Sequence, residues 1–122
     1  VVLITPLASS PFLQGNIEPH PEYSTIEFLN TLYNANMVVT DSYHGSIFSM
    51  NFNKDIYSIC GENVSDFRKT DIFNRVGLED RIVKSIDEVC SRKFAPIDYD
   101  KVNAKLDGFR ASSIDYLKKA LQ

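Results

Sequence analysis

Tryptophan is absent from this 122-residue chain, which has only two cysteines, two histidines and five glycines. Cys60 and Cys90 form no Cys-x-x-Cys pair and lack a histidine partner spacing, which argues against a zinc site and offers no disulfide scaffold. Both are expected as buried free thiols. No carboxylate cluster has metal-ligand spacing, so neither a protein-held metal nor a cofactor is expected. Positive charge is also short. Thirteen Lys and Arg against sixteen Asp and Glu leave a net charge of −3, which holds no broad attraction for nucleic acid or anionic lipid. No apolar run approaches the roughly 20 residues that a membrane-spanning helix needs. The expectation is a cytoplasmic protein with no nucleic-acid partner and no transmembrane segment.

An apolar fraction of 43% and a charged fraction of 24% suit one globular domain with a real core, so residues 1–122 read as a single α/β domain. The chain opens on valine and is strand-like from its first residue, which reads as a fragment of a longer protein. A ligand cleft shared with a missing N-terminal domain would then be half present.

Val1–Thr5 is a continuous apolar run with β-branched residues, as in a strand buried on both faces. Four prolines (Pro6, Pro11, Pro19, Pro21) make residues 6–22 a long loop that includes His20. Ser24-Thr25-Ile26-Glu27 matches a capping box, and Ile26, Leu29 and Leu32 or Tyr33 follow at helical spacing to about Asn34–Asn36. Met37–Thr40 predicts a second buried strand, Asp41–Gly45 a turn, and Ile47–Phe52 a short buried helix with Tyr43, Phe48 and Phe52 in the core. Asp55–Ile59 reads as a third strand. Asp66–Val76 reads as a helix through Phe67, Ile72, Phe73 and Val76, with Gly77 just past its end. Arg81–Val83 is a fourth short strand, and Arg75 and Arg81 are expected at the surface. Ser85-Ile86-Asp87-Glu88 repeats the capping box. From about 98 to 121 the chain is helical, with Val102, Leu106, Phe109, Tyr116 or Leu117, and Leu121 on one stripe.

Strands alternating with helices imply right-handed crossovers and a parallel sheet, here of about four or more strands in a Rossmann-like three-layer domain. In such sheets ligands bind beyond the carboxyl ends of the strands. That rule selects the turn after Thr40. Asp41, Ser42 and His44 follow the strand directly, and Gly45 and Ser46 open a helix. A helix start carries free N–H groups and a partial positive charge, which favour a phosphate or carboxylate. His44 is the one group there that exchanges a proton near neutral pH. The plainer reading is that Asp41 or Ser42 only caps the helix and His44 is structural. The joint lacks the Gly-x-Gly-x-x-Gly pattern of dinucleotide sites.

The stretch Ala35-Asn36-Met37-Val38-Val39-Thr40-Asp41-Ser42-Tyr43-His44-Gly45-Ser46-Ile47-Phe48-Ser49 resembles the signature of the polysaccharide pyruvyl transferase family. The likeness continues at Phe52-Asn53-Lys54 and Val76–Ile82, and covers roughly residues 22–122. It implies the C-terminal half of a glycosyltransferase-B-like, two-domain transferase. Such an enzyme passes pyruvate from phosphoenolpyruvate to a pair of sugar hydroxyls, forming a cyclic ketal in exopolysaccharide or cell-surface glycan biosynthesis. By that resemblance His44 is catalytic, and Asp41, Ser42, Gly45 and Ser46 bind substrate. A lipid-linked acceptor would bring the protein to a membrane surface peripherally. Some members carry arginine two places before this histidine, where this chain has Ser42. Arg68 is the first candidate to supply the missing cation. Two rivals remain: a nucleotide-sugar-dependent glycosyltransferase domain, and a non-catalytic glycan- or protein-binding module.

Overall fold

A computed structural model describes residues 2–4, 18–20 and 23–122. The chain divides into two compact units, Val1–Ala35 and Asn36–Gln122. In the first, β1 (Val2–Ile4) pairs in parallel with β2 (Glu18–His20), with Leu3 opposite Pro19. The expected loop over residues 6–22 therefore contains a short strand at its far end. Its remaining prolines, Pro6, Pro11 and Pro21, lie outside the described residues.

The helix α1 (Thr25–Asn34) starts where the capping box places it. Ser24 Oγ accepts from the Glu27 N–H at 3.3 Å, and the Glu27 carboxylate accepts from the Ser24 N–H at 2.9 Å. Two orphan donors of the first turn are thereby satisfied. Of its apolar residues Leu32 is buried, whereas Ile26 and Tyr33 are exposed. The buried side runs through Leu32 and the half-buried Phe28 and Leu29.

In the second unit β3 (Met37–Thr40), β4 (Asp55–Ile59) and β5 (Ile82–Val83) form a parallel sheet in that order. The register sets Thr40 opposite Ser58 and Ile59 opposite Val83, so the three strands end together. The alternating order follows from the crossovers: α2 (Tyr43–Asn51) joins β3 to β4, and α3 (Phe67–Val76) leads from β4 towards β5. Within the described residues this sheet has three strands, fewer than the four the sequence suggests, because Val2–Ile4 pairs with Glu18–His20 instead.

The β4 strand is central and buried at Ile56, Tyr57 and Ser58, while β3 is an edge strand with Met37 exposed. Ile56, Phe73, Val76 and Val83 are each 2% exposed or less and form the heart of the unit's core. Burial of such side chains contributes about 1.5–3 kcal/mol apiece. Cys60 is buried as expected, but Cys90 is exposed on α4 (Ile86–Ser91), a short helix with no buried residue.

Two helix ends show how local chemistry places the turns. After α2, Asn53 takes a left-handed φ of 55°, and the Lys54 N–H reaches back to the Ser49 carbonyl. After α3, Gly77 takes φ 80° and the Leu78 N–H bonds the Phe73 carbonyl. The helix α5 (Tyr99–Ala120) is capped by Asp98, whose carboxylate accepts from the Lys101 N–H. Its predicted stripe is buried at Val102 and half-buried at Leu106 and Phe109, then exposed at Tyr116, Leu117 and Leu121. No helix among the described residues is long and apolar enough to cross a membrane.

Candidate functional site

All six candidate residues lie in the second unit, beyond the carboxyl ends of β3 and β4. The helix α2 begins at Tyr43, two residues earlier than Gly45 suggested, because Ser42 is its N-cap. Ser42 holds extended backbone (φ −77°, ψ 130°), and its Oγ accepts from the Gly45 N–H at 3.2 Å. Its own N–H donates to Thr40 Oγ1 at 3.1 Å. The turn between strand and helix is therefore only Asp41 and Ser42, and His44 sits in the first helical turn.

Gly45 is required by the protein's own packing. A Cβ there would lie 2.9 Å from Thr40 Oγ1 and 3.3 Å from Ser42 Cβ, inside contact distance. Ser46 also points inward. It is fully buried, its hydroxyl donates to the Ser42 carbonyl at 2.9 Å, and it shares a 3.0 Å hydrogen bond with Ser58 on β4. Ser58 in turn lies 3.8 Å from Cys60 Sγ. Gly45 and Ser46 thus shape the turn from below, instead of presenting an amide and a hydroxyl to a ligand.

What faces outward is different. Asp41, Ser42 and His44 are exposed. The amides of Tyr43 and His44, at the first two helical positions, have no protein acceptor among the described residues. The His44 ring meets Tyr43 edge-on, with centroids 5.5 Å apart at 79°. The Arg68 guanidinium lies 4.7 Å from the centroid of the same tyrosine. Tyr43 is half-buried rather than core, and it joins the two groups: an imidazole and a guanidinium, from different helices, contact one aromatic ring. That contact is worth about 0.5–1 kcal/mol at an exposed site, enough to bias the direction of Arg68.

One residue of this edge is missing from the sequence reading. Lys69 is 3% exposed, and its ammonium donates to the Asp41 carbonyl at 2.6 Å and the Ile59 carbonyl at 2.8 Å. Its third contact is Asp66 Oδ1 at 2.8 Å. Asp66 Oδ2 accepts from the Gly61 N–H at 2.8 Å. The Lys69 hydrogen bond first, and the Gly61 amide second, hold the Asp66 carboxyl below its usual 3.8. The signal was present in the helix pattern. Lys69, Phe73 and Val76 are spaced i, i+4, i+7, the inward face of α3, whereas Phe67 is 71% exposed. Glu62 is exposed, and the partner of Asp66 is Lys69.

A buried cation also occupies the opposite part of the sheet. Arg81 is 1% exposed, where the sequence suggested a surface residue. It meets Asp55 Oδ1 at 2.5 Å, donates to the Ala95 carbonyl, and lies over Tyr57 at 4.8 Å and Phe94 at 5.3 Å. Arg75 is exposed, as expected, and pairs with Asp71. A cavity of about 420 Å³ lies between the end of α3 and the start of α5, lined among others by Gly77, Arg81, Pro96 and Lys105. None of the candidate residues lines it. Among the described residues no group of three His, Cys, Asp or Glu side chains could hold a metal ion.

No curated protein and no solved structure matches the chain. A family model does, over residues 3–59, and its description is Polysaccharide pyruvyl transferase. The matched segment starts earlier than the resemblance read from the sequence and ends at the last residue of β4. It contains Asp41, Ser42, His44, Gly45 and Ser46, and leaves Arg68 and Lys69 outside. Over those residues the chain is similar to the polysaccharide pyruvyl transferase family.

Proposed function

We propose that this chain is part of a transferase that moves a pyruvyl group from phosphoenolpyruvate onto two hydroxyls of a sugar, in exopolysaccharide or cell-surface glycan assembly. One observation carries the reading: His44 is exposed at the start of α2, beside two helix amides without acceptors among the described residues, at the carboxyl edge of a parallel sheet. Such an edge receives small anions, and phosphoenolpyruvate has two anionic ends.

The chemistry divides naturally among these groups. In the overall reaction the enol carbon bearing phosphate gains bonds to two sugar oxygens and loses its bond to the phosphate oxygen. One hydroxyl proton ends on the methylene carbon, making a methyl group, and the other ends on inorganic phosphate. His44 is the acid that delivers the carbon-bound proton or hydrogen-bonds the donor. The Tyr43 and His44 amides hold one anionic end. Arg68, set against Tyr43, supplies the cation that an arginine at position 42 would bring, and it is able to grip an oxyanion with two N–H groups. Ser42 caps the helix, and Gly45 and Ser46 support the turn from beneath. The acceptor glycan enters from a facing N-terminal domain, so the isolated chain is expected to fold without turnover. The enzyme works in the cytoplasm, and reaches a membrane only through a lipid-linked acceptor.

The test is a thermal-stability titration of the full-length protein with phosphoenolpyruvate and, separately, with nucleotide-sugars. A ligand at 100 times its dissociation constant adds about 2.7 kcal/mol to stability. Stabilisation by phosphoenolpyruvate that disappears in His44→Ala is the expected result. Stabilisation by nucleotide-sugars alone supports a glycosyltransferase, and stabilisation by neither supports a binding module.

A further inference from the structure

We infer that Lys69 is a positioning residue for the His44 turn: its buried ammonium fixes the backbone from which the donor-binding amides and imidazole project. The inference rests on the donor site proposed above. Three oxygens converge on one Nζ, and they come from three segments. Asp41 O belongs to the turn after β3, Ile59 O ends β4, and Asp66 Oδ1 precedes α3. An ammonium has three donors and no acceptor, so this tripod leaves it none for a ligand. Lys69 therefore does not touch the donor itself.

Its leverage comes from where it pulls. Asp41 is the only residue between Thr40, the last of β3, and Ser42, the cap of α2. Holding the Asp41 carbonyl sets the direction in which the chain enters the helix, and with it the aim of the Tyr43 and His44 amides. The same helical turn carries Arg68, the immediate neighbour of Lys69, onto the Tyr43 ring. One buried cation thus couples the amides, the imidazole and the guanidinium. Asp66 completes the device by tying the Gly61 amide to the same ammonium. Buried unpaired charge is strongly disfavoured, so the carboxylate is what allows a lysine to sit at this position at all. The family model ends at residue 59 and assigns nothing to Lys69.

Two readouts on the full-length protein test this, in the wild type, Lys69→Met and Asp66→Asn. The first is amide hydrogen exchange at Ser42, Gly45 and Gly61, whose N–H groups are hydrogen-bonded in and beside the turn, with amides of α5 as reference. Lys69→Met is expected to speed exchange at those three amides at least tenfold while α5 is unchanged. The second is the shift of the His44 amide resonance on titration with phosphoenolpyruvate and with inorganic phosphate. Apparent affinity is expected to fall at least tenfold in Lys69→Met. Asp66→Asn, which keeps a side chain able to accept from Gly61 and leaves the lysine in place, should give the same pattern at smaller amplitude. It decides the matter if Lys69→Met does not fold. Unchanged exchange at Ser42 and Gly45 overturns the inference. Faster exchange with wild-type anion affinity also overturns it, because Lys69 would then stabilise the loop without aiming the site. If the wild type ignores both anions, the donor assignment fails, and the exchange comparison alone decides whether Lys69 holds the turn.

Discussion

Lys69 and Arg81 are both buried cations, both attached to β4, and they solve different problems. Arg81 binds near the beginning of the strand, through Asp55, and lies over the rings of Tyr57 and Phe94. A planar guanidinium suits that place, since it stacks on aromatics while its fork reaches a carboxylate and a carbonyl. Lys69 binds at the other end, through Ile59, where three oxygens from separate segments surround a point charge. Only the second cation touches the backbone of the candidate site. The comparison teaches that burial of charge does not by itself mark function. The location does: one cation sits at the amino end of the parallel sheet, and the other organises the carboxyl end, where ligands of such sheets bind.

Separating the two ends by mutation gives the largest expected effect first. Asp55→Ala leaves Arg81 buried without its carboxylate. Breaking a buried pair by removing one partner costs about 3–5 kcal/mol. The low end applies, because Asp55 is itself 43% exposed and Asp80 stays 3.7 Å from Arg81 Nε. Chemical denaturation should show a loss of about 3 kcal/mol with no change in anion affinity at the His44 turn. A matching loss of affinity would mean that the ends are coupled and the contrast is false.

Gly45→Ala comes next and acts on the functional end. The added methyl would stand 2.9 Å from Thr40 Oγ1, which already accepts the Ser42 amide. Thr40 cannot yield without releasing that bond, so overpacking should cost about 1–3 kcal/mol and also misplace the His44 amide. Here stability and phosphoenolpyruvate affinity should fall together. Removing the cap with Ser42→Ala is milder, about 1 kcal/mol, since it frees only the Gly45 amide. That freed amide offers a third donor beside those of Tyr43 and His44, so anion affinity should fall little, and a large drop would place Ser42 in contact with the donor.

Much of this was legible beforehand, and the failures have a common cause. The capping box at Ser24, the strands at Met37 and Asp55 and the stop at Gly77 all depend on neighbours a few residues away, which the sequence displays directly. The candidate turn was legible for the same reason. What failed depended on tertiary partners. Lys69 and Arg81 look like surface residues until Asp41, Ile59 and Asp66, or Asp55, Tyr57 and Phe94, are brought to them. Ser46 reads as a ligand donor until Ser58, twelve residues on, claims its hydroxyl. The apolar stripe of α5 is continuous in sequence, yet only its first half finds cover.

The smallest expected effect is a pH dependence, and its sign is fixed by Asp66. The fold holds this carboxyl below its usual value, through Lys69 and then the Gly61 amide. Its contribution to stability is therefore complete above the unfolded value near 3.9, and is lost as pH falls through the lower folded value. Between pH 5 and 8 the contribution of the Asp66 carboxylate should not change. Acidification below about pH 4 should release the Lys69 tripod, and Gly61, whose amide bonds Asp66 Oδ2, should then lose exchange protection. The Lys101 amide, capped by Asp98 on α5, provides the internal contrast, because Asp98 is also depressed, chiefly by its side-chain bond to Lys101. In Asp66→Asn the acid-induced loss at Gly61 should vanish while that at Lys101 persists. If both persist, global acid unfolding is being observed, and the tripod is not the acid-labile tie at the functional end of the sheet.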